Sequence, residues 1–273
     1  MKHRFTVHTH TDAVDGKSSA RSMIESAIGR GMTAVGFAEH AVQKIDPRYG
    51  LTDAAEAHYI AEIDQLKEEY AGRIIIRRGI ERDAFSHCDR TKFEYVLGSA
   101  HYIRLPDDSI LTVDGDPVHW KKMVAENFAG DVMEVIRRYY DEIARYVSEY
   151  RPEVIGHFDL VTKYNEITGL FDAESPEYMR IALASLEKCA SSGGILEINT
   201  GAISRGYRTV PYPAIPLLQA WREMGGEVTI GTDSHHESTV DAAFDEAVEW
   251  ARRAGYRSMK ALGAKTLFED WEI

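Results

Sequence analysis

The stretch Phe5-Thr-Val-His-Thr-His10 runs a short β-forming segment directly into two histidines two residues apart. On an extended chain the side chains at i and i+2 share a face, so both imidazoles can present nitrogen to one point. Near the other end, Val228–Ile230 leads in the same way into Asp233-Ser-His235. Five further β-rich runs lie between them, and each leads into or carries an imidazole or a carboxylate. Ala34–Phe37 precedes Glu39-His40, Ile74–Ile80 precedes Glu81, Tyr95–Gly98 precedes His101, Val154–Gly156 precedes His157, and Ile195–Ile198 carries Glu197. Between these runs, Ser22–Arg30, Ala54–Tyr70, Val132–Tyr150, Pro176–Ala190, Pro216–Met224 and Val240–Ala254 repeat their apolar residues at helical spacing. Strand and helix in alternation predict an α/β fold with a seven-stranded parallel sheet or barrel, whose ligand site lies at the carboxyl ends of the strands. Six of the eleven histidines fall at those ends.

Neutral imidazoles and carboxylates gathered at one place are the donor set of a divalent-metal site. A purely structural role would bury many polar groups without a shared partner, at ~1–3 kcal/mol for each group left unsatisfied. The rest of the composition narrows the class. A chain of 273 residues with 44% hydrophobic content can build one large core, and a single domain over residues 1–273 is expected. The polar, turn-rich segment Asp107–Gly130, bearing His119 and Trp120, breaks the rhythm and reads as an insertion over one end of the barrel that can act as a lid. A net charge of -12 with no basic stripe argues against a nucleic-acid partner. No run approaches the ~20 apolar residues of a membrane span, and no apolar signal region follows Met1. Cys88 and Cys189 form no CxxC pair. A cytoplasmic protein acting on a small molecule is therefore expected. No glycine-rich phosphate loop, Cys-His pair or Gly-x-Ser-x-Gly elbow competes with the histidine and carboxylate set.

Taken as a set, these motifs resemble the polymerase and histidinol phosphatase (PHP) superfamily. The set comprises His8-x-His10 with Asp15, His40 closing Gly-Phe-Ala-Glu-His, Glu81 in Gly-Ile-Glu, His101 in Gly-Ser-Ala-His, His157 in Gly-His-Phe-Asp, and Asp233-x-His235. Glu197-Ile-Asn-Thr, the Gly and Arg that follow, and Tyr212-Pro213 resemble the monofunctional histidinol-phosphate phosphatases more than the polymerase domains. The resemblance implies a distorted seven-stranded, TIM-like (β/α) barrel holding two or three divalent metal ions (Zn, Mn or Fe). It assigns His8, His10, Glu81 and Asp233 to one metal, Glu81, His101 and His157 to a second, and Asp15, His40 and His235 to a third, with Glu81 as the bridge. Where family members often carry Thr-Asp-His, this chain has Ala38-Glu39-His40.

Such a centre would lower the pKa of water to give hydroxide near neutral pH and would neutralise a phosphate during in-line attack. The expected reaction is hydrolysis of a small phosphorylated metabolite, L-histidinol phosphate by resemblance, with a nucleotide or other phosphate ester as the alternative. A non-catalytic metal-binding barrel is less in keeping with nine retained ligands. Glu81, Asp233 and His235 would carry the chemistry. Arg205 and Arg208, after the sixth strand, and Lys163, after the fifth, are the candidate phosphate clamps. Glu197 is placed as a contact to a substrate amine or as a brace beneath the metal ligands.

Overall fold

The computed structural model describes residues 3–273. Seven parallel strands form one sheet: β1 (Phe5–Thr6), β2 (Ala34–His40), β3 (Ile75–Asp83), β4 (Tyr95–Ser99), β7 (Val154–Ile155), β8 (Ile195–Asn199) and β9 (Val228–Gly231), in that spatial order. The sheet curls until its edges meet. Val7 N–H donates to the Ile230 carbonyl at 3.0 Å, Asp233 N–H to His8 at 2.9 Å and His10 N–H to Ser234 at 2.8 Å. This is the predicted α/β barrel, with all seven strands where their apolar runs placed them.

The helices form where the periodicity put them, except that the last begins at Phe244 rather than Val240, after the left-handed Ala243, and four of their starts follow ordinary capping chemistry. Ser19, Thr52, Asp131 and Ser175 accept backbone N–H groups in the first turns of helices Ala20–Gly29, Asp53–Glu69, Val132–Tyr150 and Pro176–Ala190. In Val132–Tyr150 the buried residues Ile136, Tyr139, Tyr140, Ile143 and Val147 make one stripe at helical spacing against the barrel. Two of the strands run further than their apolar stretches. β2 continues through Glu39 and His40, and β3 through Glu81 to Asp83. Their register pairs His40 with Glu81, which sets an imidazole beside the carboxylate that faces it.

Below the site, the barrel interior is filled by Tyr95, whose hydroxyl donates to the Val7 carbonyl. Gly79 on β3 makes this possible, since a Cβ there would lie 2.3 Å from the Tyr95 ring. The amino-terminal end is closed by an antiparallel hairpin absent from the periodicity reading, β10 (Ser258–Leu262) and β11 (Phe268–Glu272). Trp271 meets Phe5 and Phe268 meets Tyr95 at ring separations of 5.8 and 6.3 Å.

The irregular segment after β4 differs from its expectation in extent and content. It starts earlier, with a hairpin of β5 (Tyr102–Arg104) and β6 (Ile110–Thr112), and continues into a helix, Pro117–Asn127, begun by Asp116 and Pro117. Its polar surface hid an apolar anchor: Trp120 is buried and its indole donates to the Val113 carbonyl at 2.7 Å. No described helix is long and apolar enough to cross a membrane.

Candidate metal centre

The carboxyl ends of the strands open into a cavity of about 460 Å³. His8 and His10 leave β1 on one face, and their Nε2 atoms lie 3.0 Å apart. Glu81 Oε2 is 3.6 Å from each of them, and Asp233 Oδ1 is 3.9 Å from His8 and 3.5 Å from His10. Ligand atoms held ~2.0–2.2 Å from one cation stand roughly 3–4 Å apart, so His8, His10 and Asp233 have about the spacing of a shared metal, with Glu81 Oε2 beside both imidazoles. The other Glu81 oxygen, Oε1, faces a second group, at 3.0 Å from His157 Nε2 and 3.5 Å from His101 Nε2. A third group forms around Asp15, whose Oδ2 is 3.3 Å from His235 Nε2 and 3.7 Å from His40 Nε2. His10 also lies within reach of that group, its ring stacked between His40 and His235 at centroid distances of 4.4 and 4.3 Å.

Protein partners alone do not satisfy this cluster. Among the described residues nothing donates a well-directed hydrogen bond to the buried Glu81 Oε2 or Asp15 Oδ1, although His40 Nδ1 comes within 2.8 Å of the former. Burial works against ionisation of Asp233 and Glu81, but it is outweighed by Arg205 and His8 at the first and by His40 and His101 at the second, so both carboxyls stay well below their usual range. The same burial opposes a charge on His8, yet Glu197, Asp233 and Glu81 raise its pKa well above the ordinary value. Fixed anions that call for protons on buried imidazoles fit divalent cations better than protons. The donor set, its spacing and its orphaned oxygens all suit that occupancy.

A model of the PHP domain matches residues 6–201, well over half of the chain. The chain belongs to the PHP domain family. A histidinol-phosphatase of Bacillus subtilis is 27% identical over 267 residues, covering 89% of this chain and 97% of the relative. Among solved structures, a candidate histidinol phosphatase of Listeria monocytogenes superposes with a TM-score of 0.78 at 18% identity, covering 89% of this chain and 99% of that one. A histidinol phosphate phosphatase of Lactococcus lactis, complexed with zinc, L-histidinol and phosphate, does so with a TM-score of 0.64 at 20% identity, covering 94% and 96%. The two structures share the barrel seen here.

In this PHP domain the candidate metal donors are held by residues behind them. His8 Nδ1 donates to Glu197 Oε1 at 2.7 Å, which leaves Nε2 bare toward the centre. Glu197 Oε2 accepts the His157 N–H at 2.7 Å and the Asn199 amide at 3.1 Å. Glu197 is thus fully buried and engaged on both oxygens, so of its two expected roles the structure supports the brace and not the substrate contact. Gly231 leaves room for it, since a Cβ there would fall 1.7 Å from Glu197 Oε1. Asp83 does similar work for His101, with Oδ2 accepting the His101 N–H at 2.7 Å and lying 3.3 Å from Nδ1. Glu39, the departure from the family pattern, accepts the Thr11 N–H, and its other oxygen lies 3.9 Å from His10 Nδ1. Asp83 and Asn199 were missed by the strand-end reading, although Glu81-x-Asp83 and Glu197-x-Asn199 carry the same two-residue spacing as His8-x-His10.

The three expected phosphate clamps separate. Arg205 lines the cavity, donating to Asp233 Oδ2 at 2.9 Å and to the Asp233 carbonyl at 2.8 Å, so it also steadies a candidate metal donor. Lys163 lines the cavity as well and pairs with Asp114. Arg208 does not. Gly206, at a φ of 74°, turns the chain after helix Gly201–Ser204, and the Arg208 guanidinium packs over Tyr212 while donating to Thr162 and Val210. Asp233 itself sits at a φ of 47°, a left-handed backbone held by its neighbours at a functional position.

Proposed function

We propose that this PHP domain is a metal-dependent phosphomonoesterase that hydrolyses L-histidinol phosphate to L-histidinol and phosphate in histidine biosynthesis. The observation that carries the reading is Glu81, whose two oxygens face two separate donor groups while a third group, Arg205 and Lys163 share the same cavity. The names of the relatives support the substrate. His8, His10, Glu81 and Asp233 would hold one divalent ion, Glu81, His101 and His157 a second, and Asp15, His40 and His235 a third, each zinc, manganese or iron. Such ions, when bound, acidify water and neutralise phosphate charge. The protein's own part is to hold Glu81 through the barrel register, Asp233 and His235 through Arg205, and His8 through Glu197, and to meet phosphate oxygens with Arg205 and Lys163. Arg205 and Lys163 give the cavity local cations for a small phosphate ester, while the chain's net charge of -12 works against a long polyanion. We read residues 1–273 as one cytoplasmic domain with 107–130 as a lid, a reading supported by cavity-lining residues Asp114, Asp116 and His119.

The test pairs elemental analysis with phosphate release from L-histidinol phosphate. Activity should vanish on chelation, return with Zn, Mn or Fe, and fall at least about a hundredfold in Glu81→Gln. Full activity in metal-free protein refutes the proposal.

A further inference from the structure

Four acidic residues line the cavity outside the three donor groups: Asp46, Asp83, Asp114 and Asp116. Three are committed. Asp46 grips Arg48 through both oxygens, Asp83 holds His101, and Asp116 caps helix Pro117–Asn127 through the Val118 and His119 N–H groups at 2.8 Å each. Asp114 differs, for among the described residues its only side-chain partner is the ammonium of Lys163, the end of a flexible stem. The backbone places this carboxylate close to the chemistry: Val113 N–H and Thr112 Oγ1 both donate to the His101 carbonyl, at 2.8 and 3.1 Å, and His101 is a donor of the second group. Lys163 would not be stranded by leaving Asp114, because its Nζ stands 5.3 and 5.7 Å from the ring centres of Tyr164 and Tyr207, two faces that stabilise a cation.

A lysine and an aspartate paired with each other on the wall of a binding cavity form the arrangement that a substrate bearing both charges would replace. We infer that Asp114 is the counter-ion for a cationic amine on the substrate, and that Lys163 moves from Asp114 to the phosphoryl oxygens when the ester enters. The inference rests on the phosphomonoesterase reading and deepens it. It defines the substrate class as zwitterionic aminoalkyl phosphates, with the amine only a few bonds from the ester oxygen. It also gives the segment after β4 a second role, since the residue that recognises the amine lies on the segment that walls the cavity.

The experiment compares L-histidinol phosphate with its des-amino analogue, 3-(imidazol-4-yl)propyl phosphate, on the metal-loaded full chain. The wild type should favour the amino ester by at least tenfold in kcat/KM. Asp114→Asn should reduce that ratio to near unity, chiefly through KM of the amino ester, and weaken competitive inhibition by L-histidinol about tenfold while leaving inhibition by inorganic phosphate no weaker. Lys163→Met should instead lower kcat/KM for both esters. An unchanged ratio in Asp114→Asn overturns the inference. If that variant fails to fold, the wild type still decides: no preference between the two esters overturns it equally. Failure of the wild type to release phosphate from either ester would strike the underlying phosphatase reading, an outcome distinct from loss of selectivity alone.

Discussion

Replacing Glu197 by Gln changes one atom and should disable the first metal position. Glu197 is an acceptor on both sides, from His8 Nδ1 at 2.7 Å through Oε1, and from the His157 N–H at 2.7 Å and the Asn199 amide at 3.1 Å through Oε2. Glutamine has one accepting oxygen and one donating amide, so it can satisfy only one side. If its oxygen stays with His157, the amide faces His8 Nδ1 and drives the proton to Nε2, the atom that points at His10, Glu81 and Asp233. That tautomer presents a proton where a metal needs a lone pair. If the oxygen turns to His8, an amide meets the His157 N–H and the Asn199 amide, leaving buried donors unpaired at ~1–3 kcal/mol each. Either way the loss should be about 10- to 100-fold in metal affinity, or roughly 1.4–2.7 kcal/mol. Titrating protein-bound metal against a competing chelator measures this directly, and turnover at saturating metal should partly recover. A variant with wild-type metal affinity but a raised KM would show that Glu197 meets substrate and that the brace is misread.

Three further predictions test other parts of the site. Asp83→Asn should loosen His101, lowering bound metal by about one ion per chain while the fold melts near its wild-type temperature; undiminished stoichiometry counts against that brace. Arg205→Ala should raise KM for the ester roughly tenfold, in line with ~1.5–3 kcal/mol for a charge-assisted hydrogen bond, and because Arg205 also binds Asp233 it should weaken metal binding too; a change in KM alone would confine it to substrate. Burial raises the carboxyl pKa of Asp159, which favours the protonated acid in the folded state, so its stabilising contribution is present below the unfolded value of about 3.9 and is lost as pH rises through the raised value. Asp159→Asn should therefore raise Tm at neutral pH, with the gain disappearing near pH 4, and melts across that range that show no such difference would refute it.

Much of the catalytic end could be read from the chain because the relevant signals are local. An apolar run of three to seven residues with His, Glu or Asp at or just beyond its end, and two ligands at i and i+2, are written within a few positions, and strand geometry alone turns them to a common side. All nine expected metal donors lie at that end, in the three groups described. The hairpin Ser258–Glu272 escaped the periodicity reading because its residues alternate weakly and are buried by contacts with strands far away in the chain, β1, β2 and β9 among them. The buried anchor Trp120 was likewise hidden in a segment that is polar on average.

Other assignments depended on residues far apart in the chain. Glu197 stands under His8 at a separation of 189 positions, and Lys163 meets Asp114 across 49. No periodicity links such pairs, because their proximity is created by barrel closure and by the path of the segment after β4. The same holds for Arg205 and Arg208, two arginines three residues apart whose sequence context treats them alike. One faces Asp233 and the cavity, and the other is carried by the turn at Gly206 to Thr162 behind Tyr212. Residue type and spacing therefore determine which groups can bind metal. Which carboxylate becomes a ligand, a brace or a counter-ion follows from the long-range packing that sets its distance and its remaining hydrogen-bond capacity.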